Sequence, residues 1–376
     1  MIYLDHHATT PCSPAVAETV CRYLTRWISP RESETIQAQA AEAVIAGLHA
    51  PARRRQRVIW TSGATESLNL AIRGCAERIE EHDHNRVILT TGIEHKAVLM
   101  PIAHLVRHRQ WRLEQIPTDD AGLVDFSAFE RMLSYLAPSM VCVGAVNNEI
   151  GTVQDLARLH AACEDRGVVL IVDASQAFGI CDLHGDLIAL SAHKFYGPRG
   201  VGALVMTAGH YPREQILGGG QQGGIRAGTL PLPLIAGMGE AARATETWRE
   251  AGGADVMRAL ATDLYTRVCA GVEERTAVWL NGPHDARHPG NISLTIAGID
   301  AADLRASMPQ VVCSQGAVCS NGQASHVLHT IGLLPVHAAG TLRFGVGRDT
   351  TSREVREASA LVVRQVCALL DAVRVS

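Results

Sequence analysis

No stretch of this chain is apolar for long enough to cross a bilayer, and its start, Met1-Ile2-Tyr3-Leu4-Asp5-His6-His7, lacks the pattern of a signal peptide. A cytoplasmic protein is therefore the default expectation. An excess of positive charge is also missing. With 34 Lys and Arg against 38 Asp and Glu, the net charge is −4. That leaves no broad basic field for direct contact with nucleic acid or an anionic membrane. The one dense basic run, Arg53-Arg54-Arg55-Gln56-Arg57, precedes an apolar segment and reads as a solvated connection. Ten cysteines include no Cys-x-x-Cys pair, so neither structural zinc nor a redox dithiol is indicated and no metal is expected. Internal repeats and low-complexity tracts are absent too, which argues against a solenoid or a long disordered linker.

What remains is ordinary globular material: 376 residues, 47% apolar and 19% charged, long enough for two domains with separate cores. Without a secretory signal the cysteines should be reduced and mostly buried, as at Cys142 within Met140-Val141-Cys142-Val143-Gly144. Cys319 differs. It sits in Ser314-Gln315-Gly316-Ala317-Val318-Cys319-Ser320-Asn321-Gly322, a Gly/Ser/Asn-rich segment expected to be an exposed, mobile loop. An exposed thiol is a liability unless it is used.

Short apolar strands alternate with amphipathic helices through the first two thirds of the chain. Ser13 and Pro14 open a helix whose apolar positions are Val16, Val20, Tyr23 and Trp27. Strands are expected at 58–61, 87–90, 140–143, 168–172, 187–190 and 201–206, and the pattern predicts a mostly parallel α/β sheet. In such sheets ligands bind beyond the carboxyl ends of the strands. The polar residues Thr65, His95, Asn147, Asp173 with Gln176, and Ser191-His193-Lys194 all fall at those ends. After the Gly-rich stretch 218–229 the character changes. A long helical region covers roughly 232–275, with a weak break at 251–253, and a strand follows at 292–296. A last helix opens on the capping box Thr351-Ser352-Arg353-Glu354. The expected organisation is a large domain over 15–249 and a smaller α+β domain made of 1–14 and 250–376.

The chemistry centres on Lys194, in Ser191-Ala192-His193-Lys194 between an apolar strand and a Gly/Pro turn. A lone strand-end lysine normally reaches into water. Desolvated or set beside other cations, it loses its proton more easily and can form a Schiff base with an aldehyde cofactor. Ser62-Gly63-Ala64-Thr65 offers a Gly turn, a helix start and hydroxyls, which suit a phosphate. Asp173 is placed to keep a pyridine nitrogen protonated, Gln176 to bond a ring hydroxyl, and His95 to lie over a ring face and exchange protons near neutral pH.

Taken together, the chain resembles the cysteine desulfurases, fold type I pyridoxal-phosphate enzymes related to the class V aminotransferases. The resemblance runs from Tyr3-Leu4-Asp5-His6-His7-Ala8-Thr9-Thr10-Pro11 to Leu342-Arg343-Phe344-Gly345-Val346-Gly347-Arg348. Between these lie Thr61-Ser62-Gly63-Ala64-Thr65-Glu66-Ser67-Leu68-Asn69, Glu94-His95-Lys96-Ala97-Val98, Val146-Asn147-Asn148-Glu149-Ile150-Gly151, Val172-Asp173-Ala174-Ser175-Gln176 and the Lys194 motif.

The resemblance implies a role for each matching residue. Lys194 carries the cofactor, pyridoxal 5'-phosphate. Ala64, Thr65, Ser191 and His193 hold its phosphate, and Thr229 reaches the phosphate of the other subunit in a homodimer. Asp173 pairs with the ring nitrogen, Gln176 with the ring oxygen, and His95 stacks on the ring. Asn147 and Arg343 hold the substrate carboxylate; for Arg343 this also follows from the match of a guanidinium to a carboxylate. L-cysteine would be converted to L-alanine. Lys194 removes the Cα proton, and Lys194 or His95 makes the later transfers. Cys319 takes the sulfur as a persulfide and passes it to an acceptor protein. Catalytic roles thus fall on Lys194, Cys319 and His95.

Three departures from the family pattern stand out: Val318 beside Cys319, Gln222-Gly223 in place of a Glu-Arg pair, and the shortened segment Ile28-Ser29-Pro30-Arg31-Glu32. They fit a desulfurase serving one dedicated pathway, such as DNA phosphorothioation, rather than general iron–sulfur assembly, which stays open as the pathway. Selenocysteine lyase, another class V enzyme, and a non-enzymatic scaffold for a sulfur pathway are the alternatives.

Overall fold

A computed structural model describes residues 1–49, 56–82, 85–316 and 325–375. The chain begins with a two-residue strand, β1 (Ile2–Tyr3). Seven strands then build the main sheet: β2 (Gln56–Thr61), β3 (Val87–Thr91), β4 (Arg112–Ile116), β5 (Met140–Gly144), β6 (Val169–Asp173), β7 (Leu187–Ser191) and β8 (Gly202–Thr207). Their order is β2-β8-β7-β6-β5-β3-β4. Only β8 runs against its neighbours; the other pairings within β7-β6-β5-β3-β4 are parallel.

Helices cover both faces of this sheet, so central strands such as β3 and β7 are buried at every position. One face packs Leu68, Ala71, Ile72 and Cys75 of the helix Ala64–Glu80 and Val98, Ile102 and Leu105 of the helix Lys96–Arg109. The other face packs Phe129, Leu133, Leu159, Ile235 and Met238.

The expected helix–helix region is two helices, Leu232–Glu250 and Gly253–Val272, broken where the sequence predicts. Beyond them lie β9 (Val278–Leu280), β10 (Asn291–Ile296), β11 (Val311–Val312), β12 (Ser314–Gln315) and β13 (Thr341–Gly345). β12-β13-β10-β9 form an antiparallel sheet, and β1 pairs in parallel with β11. This sheet and the last helix, Ser352–Val375, share a separate apolar core that includes Ile2, Leu4, Leu294, Phe344, Val355 and Val362. The capping box closes reciprocally: Thr351 N–H donates to the Glu354 carboxylate, and Glu354 N–H donates to Thr351 Oγ1.

Some elements depart from the sequence expectation. The first helix ends at Leu24, so Trp27 is not part of its apolar stripe and stands fully exposed. Ser29 and Pro30 then cap and open a second helix, Pro30–Ala46. Its buried positions include Ile36, Ala40 and Val44 among polar and alanine residues, too weak a stripe to read. The edge strand β4 (Arg-Leu-Glu-Gln-Ile) is largely polar and was equally illegible. Of the basic run 53–57, only Gln56 and Arg57 lie within the described residues.

Candidate active site

The carboxyl ends of β3, β5, β6 and β7 open onto one cavity of about 590 Å³, the size of a cofactor pocket. Of the residues read from sequence, Ala64, Thr65, His95, Asn147, Asp173, Gln176, Ser191, His193 and Lys194 all line it. Thr229 is exposed and does not. Arg343 is buried outside the lining. Its guanidinium donates to the Asp5 carboxylate (2.9 Å), to Ser314 Oγ (2.9 Å) and to the Asn148 carbonyl (2.9 Å), and its Nε has no protein partner. Cys319, with Val318, lies outside the described residues.

Lys194 ends a short turn after β7, and its Nζ donates to the carbonyls of His7 (2.6 Å) and Ala8 (3.0 Å). Burial, reinforced by the Arg343 guanidinium, pushes its amine down to about 8; Asp173 and Asp5 oppose the shift. The lysine is therefore not a solvated one. Asp173 closes β6, and its Oδ1 accepts from Ser175 N–H (3.0 Å) and Ser175 Oγ (2.5 Å).

His95 caps the helix Lys96–Arg109: its Nδ1 accepts the Ala97 N–H at 3.0 Å. With Nδ1 occupied, the neutral ring carries its proton on Nε2. The ring is open to the cavity, yet the packing around it lowers its proton affinity, and Lys194 and His326 add to that. Proton exchange at neutral pH, the sequence expectation, is shifted to lower pH, and His95 faces the cavity as an N–H donor. His193 is held at about 4 by burial, Lys194 and Arg199, and so is also neutral.

The helix Ala64–Glu80 starts at the cavity wall. Its N-cap, Gly63, provides no side-chain cap, so the N–H groups of the first turn are left for an anion. β8 presses against this turn: a Cβ on Gly202 would lie 2.5 Å from the Gly63 Cα and from the Leu190 carbonyl oxygen. Glu66, also in the cavity lining, braces the same turn. Its carboxylate accepts the Ser62 N–H (2.8 Å) and pairs with Arg226 (2.8 Å) from the Gly-rich stretch. Gln222, one of the departures from the family pattern, presents its amide edge-on to Trp60 on edge strand β2. Its Oε1 takes the Trp60 N–H (2.6 Å) and its Nε2 donates to the Trp60 carbonyl (2.9 Å).

These groups fit pyridoxal 5'-phosphate. A desolvated amine suits its aldehyde, a buried carboxylate suits its ring nitrogen, and an uncapped helix start beside Ser191 and Thr65 suits its phosphate. Asn147 is already committed: Nδ2 donates to the Ile93 carbonyl, and Oδ1 accepts from Glu149 and Ile150 N–H.

Several residues at the site carried no assignment from sequence. Thr9, Arg199, Ser175 and the buried Glu94 line the cavity. Burial, with Asp173 adding to it, pushes the Glu94 carboxyl up to about 8, against the Thr91 hydroxyl that donates to it at 2.6 Å. The Glu94-His95 pair in the motif was the available signal. Both sides of the segment 317–324 are tied to the site. Ser314 bonds Asp5 and Arg343; Ser325 donates to Glu149, and His326 Nε2 donates to the Glu94 carbonyl at 2.8 Å.

The family profile described as "Aminotransferase class-V" matches residues 2–357. A cysteine desulfurase IscS of Rickettsia felis is 34% identical over 391 aligned positions, covering 99% of this chain and 92% of the relative. Among solved structures, a NifS-like protein superposes with a TM-score of 0.87 at 26% identity, covering 97% of this chain and 99% of its own. DndA from Streptomyces lividans superposes at 0.74 with 32% identity, covering 91% and 99%.

Proposed function

The chain belongs to the class-V aminotransferase family, and from that membership we propose that it is a pyridoxal-phosphate-dependent cysteine desulfurase, converting L-cysteine to L-alanine and passing the sulfur to an acceptor protein. The observation that carries the reading is Lys194. A lysine held near 8 shares one cavity with a buried aspartate and an uncapped helix start.

Bound pyridoxal phosphate supplies an electron sink for the Cα carbanion. Lys194 would hold its aldehyde carbon; the 64–65 amides, Thr65, Ser191 and His193 its phosphate; Asp173 its ring nitrogen; and Gln176 its ring oxygen. His95, in the cavity lining, would lie against its ring. The Lys194 amine, neutral within reach of physiological pH, takes the Cα proton of bound cysteine. Asn147, through the second hydrogen of its Nδ2, and Arg343 would hold the substrate carboxylate, with Arg343 exchanging part of its Asp5 pairing for the substrate. The Cys319 thiolate attacks the substrate sulfur; the new S–S bond forms as the C–S bond breaks, and protonation at carbon releases alanine. Ser314 bonds Arg343, and Ser325 bonds Glu149, two residues after Asn147; both flanks of Cys319 are thus anchored to the neighbourhood of the substrate-binding residues, which supports this role for Cys319. Cys313 is buried and pushed up to about 12, a poor thiolate.

A homodimer, with Thr229 serving the partner's phosphate, goes with this reading. So does a division into 15–249 and 1–14 with 250–376, which the separate core around Leu4 and Phe344 supports. The pathway served, whether DNA phosphorothioation or iron–sulfur assembly, is set by the acceptor protein.

Borohydride treatment of the yellow protein should fix the cofactor on Lys194, as read by peptide mass. An unmodified Lys194 removes the reading. Cys319→Ala should stay yellow and release no sulfide. Normal turnover by that variant points to a selenocysteine lyase, and persulfide label on Cys313 reassigns the acceptor.

A further inference from the structure

The motif Tyr3–Pro11 carries one side chain whose surroundings are not explained by packing. His7 is buried, and its backbone carbonyl accepts both Lys194 Nζ (2.6 Å) and Gln176 Nε2 (2.8 Å). Its ring Nδ1 lies 3.1 Å from Gln176 Oε1. These contacts fix the protons. A carbonyl can only accept, so the Gln176 atom facing it is the NH₂ group. The other amide atom is then the oxygen, and His7 Nδ1 must be the donor. His7 is therefore the neutral Nδ1–H tautomer, with the lone pair on Nε2.

The surroundings hold the ring in that state. Burial first, and then the edge-on ring of His288, 4.6 Å away, Arg343 and Lys194, all disfavour a second proton. Nε2 is buried without a protein partner. The ring borders a cavity of about 40 Å³ shared with Ser175, Gln176 and His288, room enough for a bound water.

We propose, on the cofactor reading given above, that His7 is the positioning residue that fixes the Gln176 amide toward the ring oxygen of the cofactor. The Nδ1–H and the carbonyl of one residue grip both ends of the amide, so it cannot turn over. Gln176 then keeps a fixed donor toward the pocket, and the Lys194 amine shares the same carbonyl anchor. A slackened donor leaves more negative charge on the ring oxygen, which holds the neighbouring proton to higher pH.

The test compares wild type, His7→Leu and His7→Asn, each loaded with pyridoxal phosphate, by pH titration of visible absorbance. The nitrogen of an asparagine amide overlays histidine Nδ1, so His7→Asn should keep the wild-type midpoint. His7→Leu should raise it by roughly half a pH unit or more. Midpoints equal in all three proteins, or moved equally by both variants, overturn the proposal. Independently of cofactor, ¹⁵N ring spectra of the apo protein should show His7 neutral with Nδ1–H. An Nε2–H tautomer overturns the proposal, and this measurement decides it if His7→Leu does not fold. A wild type that takes up no cofactor sinks the desulfurase reading, while the nitrogen spectra still report the tautomer.

Discussion

Two titratable side chains at the site have their proton affinities moved toward neutrality from opposite directions, and burial is the first cause of both. Lys194 comes down to about 8 and Glu94 goes up to about 8. Their effects on stability have opposite signs. Glu94 binds its proton more tightly folded than unfolded, so its contribution is complete below its ordinary value of 4.5 and is lost as pH rises to about 8. Glu94→Gln keeps the shape and an oxygen for the Thr91 hydroxyl but removes the titration. Chemical denaturation of the apo protein should show the variant gaining on wild type across that window, by about 2–4 kcal/mol at its upper end. An unchanged difference at pH 5 and pH 8 would mean that Glu94 is ionised throughout. Cys313 shows the same physics in a thiol, since burial withholds the thiolate that chemistry needs. The Lys194 motif was legible because a lysine between an apolar strand and a Gly/Pro turn is unusual. His7 was not, because its role depends on a glutamine 169 positions away.

At the level of elements, the site is a set of strand ends aligned by one sheet, closed on one side by a turn that tolerates no bulk. Gly202 in β8 backs directly onto Gly63, and an added Cβ would meet backbone rather than a side chain that could move aside. Gly202→Ala should cost about 1–3 kcal/mol in apo stability. By shifting the helix start, it should also release cofactor on dialysis far faster than wild type. Wild-type retention in a correctly folded variant would separate the turn from phosphate binding. The strands that form this scaffold were readable because burial on both faces makes them short continuous apolar runs. β4 and the helix Pro30–Ala46 were not, since an edge strand and an alanine-rich helix each bury too little apolar surface to leave a pattern. Trp27 keeps the helical spacing although the helix ends at Leu24, because spacing alone carries no stop signal.

Across the whole molecule, the N-terminal segment laces the two cores together. Ile2 and Leu4 pack with the smaller sheet, whereas Thr10 exchanges hydrogen bonds with His193 and Tyr196 beside Lys194. Thr229 is exposed and lies outside the cavity of its own chain. Sedimentation should give twice the 40.3 kDa of one chain. Co-expressed Lys194→Ala and Thr229→Ala chains should recover one cofactor-retaining site per mixed dimer, because the Thr229→Ala chain keeps its lysine and borrows an intact threonine. If neither variant nor the mixture retains cofactor, Thr229 acts within its own chain. The sequence by itself determined the family, the mostly parallel sheet and the residue types at its strand ends, because motif spacing and apolar runs are local properties of the chain. Only the tertiary structure decided which of those residues share a cavity, which proton each ring nitrogen carries and how far each ionisable group is shifted. Burial and hydrogen-bond partners come from residues distant along the chain.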